Sequence, residues 1–366
     1  MKPLRILQAP IVLIYLPYLY AKGLRELGHK SDYMVFRTSP YEWLLQGEPD
    51  INLRCHYNEG MQREKTREIE FLLYAINNYD IFHFHVKYGL LWPSYWLWDE
   101  CSDFAFLRKM GKKIIISHWG WCDTNKGDTA IPWGRSECDT CVSQKANLCE
   151  NPIHLRHIEC GFKYADAILS CGKANVAYPQ ILWMNNAVDC CKWRPYAHDE
   201  IPERFRLPAT KNIRIYHSVA NSAKRQDDKG SPAIKAAVER LQQEGFPLEF
   251  MFFDKVPNKD LKYYQAQADL VIDQLYAGWH GLTAVECMAV GKPVITYINP
   301  EVAKIVPQEH PVINASIETI YDVIKECVSD MDKLRMIGNA SREYAIKYHH
   351  YTVVAQRLES IYSSLF

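Results

Sequence analysis

Residues 276–295 read Tyr-Ala-Gly-Trp-His-Gly-Leu-Thr-Ala-Val-Glu-Cys-Met-Ala-Val-Gly-Lys-Pro-Val-Ile. Within twenty residues the chain ends one strand, turns on glycine, opens a helix near Leu282 and starts a second strand at Val294, with Gly291 and Pro293 as the helix break. The same alternation of strand-like and helical runs continues from end to end, which is the pattern of parallel sheets joined by crossover helices. Backbone N–H groups at Gly281, Leu282 and Thr283 are expected to be free at the positive end of the new helix, a ready place for a diphosphate. Glu286 lies one turn further in, where a carboxylate can accept hydrogen bonds from a sugar diol.

Length and charge narrow the field. At 366 residues there is room for two domains, each with a full core, and an apolar content of 48% suits a globular enzyme. Forty-three basic and 43 acidic residues cancel, which argues against nucleic acid as the main partner. No apolar run reaches the length of a membrane span; Ile11 to Tyr20 is interrupted by Pro17 and followed by Lys22. The first residues enter a strand-like run without a signal-peptide pattern, so a cytoplasmic protein is expected. Twelve cysteines, including the neighbours Cys190 and Cys191, fit reduced thiols better than an oxidising compartment. The sequons at Asn314 and Asn339 then mark surface loops only.

In the N-terminal half, strands are expected at 4–8, 32–36, 80–86, 113–119 and 167–171, with a helix whose apolar positions run from Leu16 to Leu27 and which Gly28 ends. Around Trp183 to Pro195 the composition changes, and a polar stretch to Thr210 leads into a fresh strand at 213–219. The second half continues with helix 232–244, strand 248–253, helix 261–266, strand 270–274, the segment described above and strand 293–297. A last helical segment spans about 341–366. The expected domains are therefore 1–195, with a cysteine-rich insertion at about 122–160, then 196–345, and a C-terminal helix 346–366 that crosses back to the first domain. Neither half carries Gly-x-Gly-x-x-Gly after its first strand, nor a Walker loop, which disfavours dinucleotide enzymes and phosphate-loop ATPases.

The 276–295 string resembles the donor-binding motif of the group 1 (family four) retaining glycosyltransferases, in which Gly-Leu opens a helix, a Glu follows four residues on, and Met-Ala-x-Gly-x-Pro-Val-Ile ends the motif. Asn-Ala-Val-Asp at 186–189 with Arg194-Pro195 looks like the passage between domains in the same family. The resemblance implies an α/β protein of GT-B fold, two Rossmann-like doubly wound domains facing a central cleft, the place where ligands bind such sheets. It further implies a nucleotide-sugar donor, no cofactor required for catalysis, and transfer with retention. In the family an Arg and a Lys neutralise the leaving diphosphate. Here the matching loop carries Lys224, Arg225 and Lys229, the last followed by Gly230, and Lys229 with Glu286 is assigned to the chemistry. A solvated turn with Asp227 and Asp228 paired to these bases is the bland reading. Donor contacts are expected from Lys224, Arg225, Lys229, Gly281, Leu282, Thr283 and Glu286, and the loop at Phe253 to Val256 is matched to the nucleotide base. One departure matters: the family places a second Glu eight residues before the first, where this chain has Gly278, and Trp279 and His280 stand where Gly and Phe are usual. The missing carboxylate would help hold the donor sugar, so a different sugar, a replacement from Asp273 or His280, and a lost activity are the three readings, with Asp273 and His280 kept among the donor contacts.

Two strands of the first half end in histidine, Phe82-His83-Phe84-His85 and Ile116-Ser117-His118. Strand ends facing a cleft are where proton-handling and acceptor-binding groups belong. His118 is assigned to catalysis and, with His85, Trp119 and Trp121, to the acceptor, with Asp123 as a further hydroxyl-binding group; His83 is expected on the other face, as a structural residue. Cys138, Cys141, Cys149 and Cys160 suit a structural zinc, with His154 and His157 as substitutes, while free thiols and disulfides are the other readings. The lone Asp-x-Asp, Asp330-Met-Asp332, is most simply a helix cap.

The function expected is transfer of a sugar from a nucleotide-sugar donor to an acceptor the sequence leaves open, in polysaccharide biosynthesis. A catalytically silent binding or scaffold protein of the same fold and a sugar-nucleotide epimerase are the alternatives. Arg108, Lys109, Lys112 and Lys113 suit peripheral contact with an anionic membrane, or a solvated helix end.

Overall fold

The computed structural model describes residues 2–10, 15–36, 47–53, 61–85, 89–91, 102–118, 161–172, 175–176, 178–219 and 229–366, with the backbone alone for residues 61, 62, 64 and 118. The described residues divide into two compact units. One holds those up to Ala187 together with Tyr351–Phe366, and the other is Val188–His350.

The first unit runs β1 (Arg5–Ala9), α1 (Leu16–Glu26), β2 (Lys30–Val35), β3 (Ile51–Asn52), α2 (Met61–Asn78), β4 (Ile81–His85), α3 (Ser102–Lys109), β5 (Lys113–His118), β6 (Ala167–Ser170) and β7 (Leu182–Trp183). Its described strands form one parallel sheet in the order β3-β2-β1-β4-β5-β6-β7. The chain therefore winds outward from β1 in both directions, and the loops after β1 and β4 part at a topological switch point. Strand β4, Ile-Phe-His-Phe-His, is buried along its whole length, as a central strand covered on both faces must be. Phe82 and Phe84 join Leu7, Phe104, Ile114 and Ile116 in the core on one face. His83 and His85 share the opposite face, their rings stacked at 4.4 Å. The expectation that His83 lies on a different face is thereby corrected, since side chains two residues apart on a strand point the same way.

The second unit runs β8 (Ile213–Val219), α4 (Ser231–Gln243), β9 (Leu248–Asp254), α5 (Asn258–Ala266), β10 (Leu270–Ile272), α6 (Leu282–Ala289), β11 (Val294–Thr296), α7 (Pro300–Ala303), β12 (Ile313–Asn314), α8 (Ile320–Ser329) and α9 (Met331–His349). Its sheet is parallel, in the order β12-β11-β10-β8-β9, so the switch point falls between β8 and β10. Ile215, Ile234, Leu241, Leu270, Ile295 and Ile324 centre its core.

The single helix expected at about 341–366 is two. Helix α9 ends at His349, His350 is extended at φ −59° and ψ 133°, and α10 (Tyr351–Ser363) belongs to the first unit. There it lies directly on α1, where a Cβ on Gly23 would sit 2.6 Å from the Ala355 Cβ. Tyr362 of α10 also reaches His83 Nδ1 at 2.6 Å. Asp330 caps α9, its carboxylate accepting from the Lys333 N–H at 2.9 Å.

Helix α9 fixes the far end of α6. A Cβ on Gly338 would lie 2.6 Å from the Gly291 carbonyl oxygen and 3.3 Å from the Pro293 ring, and the Arg342 guanidinium donates to the carbonyls of Ala289, Trp193 and Cys190. Gly338→Ala is expected to lower stability by about 1–3 kcal/mol through overpacking, despite a helix-propensity gain of about 1 kcal/mol. Denaturant unfolding measures it, and an unchanged midpoint contradicts the close contact.

Candidate functional site

Helix α6 is buried from Ala284 to Ala289 and apolar there except for Glu286, while Gly281, Leu282 and Thr283 at its opening are only half-buried. The first intrahelical bond there runs from Val285 N–H to Gly281 C=O, at 3.3 Å. The N–H groups of Leu282, Thr283 and Ala284 thus have no acceptor within the helix, at its positive end. The Gly281 amide, expected to be free, is engaged: it donates to Asp273 Oδ2 at 2.9 Å.

Asp273 follows β10 and Lys229 sits in the segment between β8 and α4, so the switch point brings them together. Lys229 Nζ donates to Asp273 Oδ1 at 2.9 Å and to the Ser218 carbonyl at 3.1 Å. An ammonium has three N–H donors, and among the described residues those two contacts leave one. The Asp273 carboxylate is fully buried and has a partner on each oxygen. It is therefore occupied within the protein and does not stand as the spare carboxylate expected to replace the missing Glu.

The same loop explains Gly278. Its φ is +79°, a left-handed conformation that glutamate adopts only with strain, and its carbonyl accepts from the Asn299 N–H at 2.9 Å. The loop is built around glycine, so the absence of the carboxylate is a feature of the backbone as well as of one side chain. Gln274 ties the loop from within by donating to the Trp279 carbonyl at 2.7 Å. His280 is 4% exposed and lies against Trp279 at 4.2 Å and beside His349 at 5.3 Å. Burial holds its imidazole well below its usual pKa, so it is a neutral, interior ring in this conformation.

Glu286 is buried one turn into α6 and accepts from Asn258 Nδ2 at 2.8 Å. Asn258 opens α5 just after the loop matched to the nucleotide base, where Lys255 takes a φ of +55°. Phe253, near the end of β9, packs against Tyr216 and Tyr264. Sequence reasoning missed Asn258, and it missed His217. The latter is a polar residue in the apolar run of β8, which was its one visible signal. His217 Nδ1 donates to the Ile272 carbonyl at 2.8 Å and Nε2 accepts from Ser231 Oγ at 2.8 Å. It thus links the residue before Asp273 to the residue two after Lys229.

In the first unit His85 is fully buried, with Nε2 on Gln8 Oε1 at 2.7 Å. His83 bridges Tyr362 and Ser117 at 2.6 and 2.7 Å. Both imidazoles are interior, hydrogen-bonded groups here, so His85, expected as an acceptor contact, has no exposed surface in this conformation. The backbone of His118 ends β5 in register with Ser170, near a cleft lined by Tyr20, Ser117, Ser170, Cys171, Met184 and Asn186. Lys224, Arg225, Trp119, Trp121, Asp123, Cys138, Cys141, Cys149, Cys160, His154 and His157 lie outside the described residues. Among the described residues no group of three or more metal-ligating side chains comes together, Cys171, Cys190, Cys191, Cys287 and Cys327 are free thiols, and no helix is long and apolar enough to cross a membrane.

Two doubly wound parallel sheets in one chain, with an anion-receptive helix end beside a lysine in the second, define the class: an α/β protein of GT-B fold. Solved structures agree over the whole length. The chain is similar to sucrose-phosphate synthase from Thermosynechococcus elongatus, with 16% identity, 99% of each chain covered and a TM-score of 0.66. It is similar to a glycosyltransferase from Rickettsia africae, with 14% identity, 100% and 99% covered and a TM-score of 0.65. HepE from Anabaena, solved in complex with UDP-glucose, gives 15% identity, 99% and 100% covered and a TM-score of 0.64. A search of curated protein sequences gives no match. Residues 230–344 match the family described as Glycosyl transferases group 1, a segment that begins just after Lys229 and has α6 at its centre.

Burial pulls the His217 pKa down to about 4. Above about pH 6.5 the ring is neutral in both folded and unfolded chains and its contribution to stability is complete. Between about 6.5 and 4 the unfolded chain takes up the proton and the native one does not, so stability falls as the pH drops, by about 3 kcal/mol across the window. Denaturant unfolding at pH 7 and pH 4.5 is expected to show a larger loss for the wild type than for His217→Gln; equal losses contradict a neutral His217.

Proposed function

We propose that the protein transfers a sugar from a nucleotide-sugar donor to an acceptor, with the second unit binding the donor. One observation carries this reading: the solvent-reaching first turn of the otherwise buried helix α6 lies beside Lys229, with Glu286 one turn below. The Leu282 and Thr283 amides and the remaining Lys229 N–H receive the diphosphate. Glu286, held by Asn258, accepts the ribose hydroxyls. Lys224 and Arg225 extend the same cationic loop, and Gly281 lets the backbone approach the ligand closely. That HepE from Anabaena was solved with UDP and with UDP-glucose supports a donor of this chemical class.

As the bond between sugar and diphosphate breaks, negative charge grows on the leaving oxygen, where Lys229 and the α6 terminus stabilise it without reorganising. His118, at the end of β5, positions acceptor and reacting sugar, with Trp119 and Trp121 as stacking surfaces. Retention of configuration follows the family resemblance. A structural zinc on Cys138, Cys141, Cys149 and Cys160, a cytoplasmic site of action in polysaccharide assembly, and peripheral membrane contact through Arg108, Lys109, Lys112 and Lys113 belong to the same reading. The left-handed Gly278 favours a second one, a silent protein of the same fold that has lost its donor.

Calorimetric titration with UDP-, GDP-, ADP- and dTDP-sugars separates the two. Saturable binding of one nucleotide sugar is expected, weakened about tenfold or more by Glu286→Gln and by Lys229→Ala, since each removes charge-assisted hydrogen bonds. Absence of binding across the panel contradicts the transferase and favours the silent protein.

A further inference from the structure

The environment of Asp273 goes beyond the role of a donor contact. Its carboxylate is wholly buried and bridges Lys229 Nζ and the Gly281 N–H, both at 2.9 Å. These are the two kinds of group, a lysine ammonium and a helix-terminal amide, that the site offers to a diphosphate. A Cβ on Gly281 would lie 3.2 Å from Asp273 Oδ2 and 3.6 Å from Gln274 Nε2, so glycine is what lets the carboxylate approach. His217 fixes both sides of this contact, through the carbonyl of Ile272 and the hydroxyl of Ser231. Leu275 N–H adds a bond to the Lys229 carbonyl at 3.2 Å.

We infer that Asp273 is a positioning residue of the anion site, a fixed internal carboxylate that aims Lys229 at the opening of α6 and offsets part of the positive charge offered to the diphosphate. The inference rests on the donor reading above. A buried carboxylate is costly unless it is paired, and here the pairing holds the ammonium at a set distance from the helix end before any ligand arrives. The same negative charge repels a bound diphosphate, so the site gives up some ground-state affinity. Tight retention of the nucleoside diphosphate product is thereby avoided, while the lysine stays ordered where charge develops.

The test is a double-mutant cycle on Lys229 and Asp273, read by calorimetric binding of the nucleoside diphosphate that the wild type prefers, with the matching nucleoside as an uncharged control. Asp273→Asn is expected to tighten diphosphate binding about tenfold at low salt, by removing a like charge, with nucleoside binding unchanged. In the Lys229→Met background the same charge logic holds: Lys229→Met leaves Asp273 uncompensated and loses more affinity than Lys229→Met/Asp273→Asn, which recovers part of it. That second comparison stands even where Asp273→Asn alone does not fold. Unchanged or weaker diphosphate binding in Asp273→Asn, or equal affinities for Lys229→Met and the double variant, overturns the inference. A wild type that binds no nucleoside diphosphate overturns the donor reading and this inference with it, and that outcome is seen before any variant is made.

Discussion

The ion pair between Lys229 and Asp273 is the contact on which the second unit's site depends. It joins the segment after β8 to the segment after β10, the two strands that flank the switch point of that sheet. Without it, a carboxylate with no exposed surface would lie unpaired beside the end of α6. With it, the lysine, the glycine amide and the left-handed turn at Gly278 form one hydrogen-bonded frame. Gln274 and Asn299 close that frame on the carbonyls of Trp279 and Gly278. The opening turn of α6 is thus held on one side by side chains from strand ends, and the helix is held at its far end by α9, through Gly338 and Arg342.

The first unit solves a related problem with neutral groups. The face of β4 turned away from the aromatic core carries His83 and His85, and burial pulls the His83 pKa down to about 3. Ser117 and Tyr362 bond to the two nitrogens of His83 and Gln8 to Nε2 of His85, so the C-terminal helix α10 is tied to the centre of the sheet by a hydrogen bond as well as by its packing on α1. A buried polar network of this kind is stable only when its members are paired. It also explains why histidines at a strand end are here interior residues rather than parts of an exposed surface.

Much of the fold was legible in the sequence because its strands are short apolar runs bounded by glycine, proline and charge. Strand β8 matches its expected bounds, and α6 opens at Leu282, because Gly281 and the apolar helix after it are strong local signals. The break at His350 was not legible: neither glycine nor proline marks it, and the two helices it separates belong to different units. The site was half legible. Lys229 and Glu286 stand at family-like spacings, whereas Asn258 and His217 act through contacts across 28 and 55 residues that no local pattern encodes. The sequence shows the charge of Asp273, and only the fold shows its partners. The shared face of His83 and His85 follows from the two-residue period of a strand.

The central claim is that the opening of α6, held beside Lys229 by Asp273, receives the diphosphate of a sugar donor. A crystal structure of the protein with the nucleoside diphosphate it binds tests this most directly. The account predicts phosphate oxygens within about 3 Å of the Leu282 and Thr283 amides and of Lys229 Nζ, with the ribose hydroxyls on Glu286. A nucleotide bound elsewhere, with the helix opening still facing solvent, would contradict it.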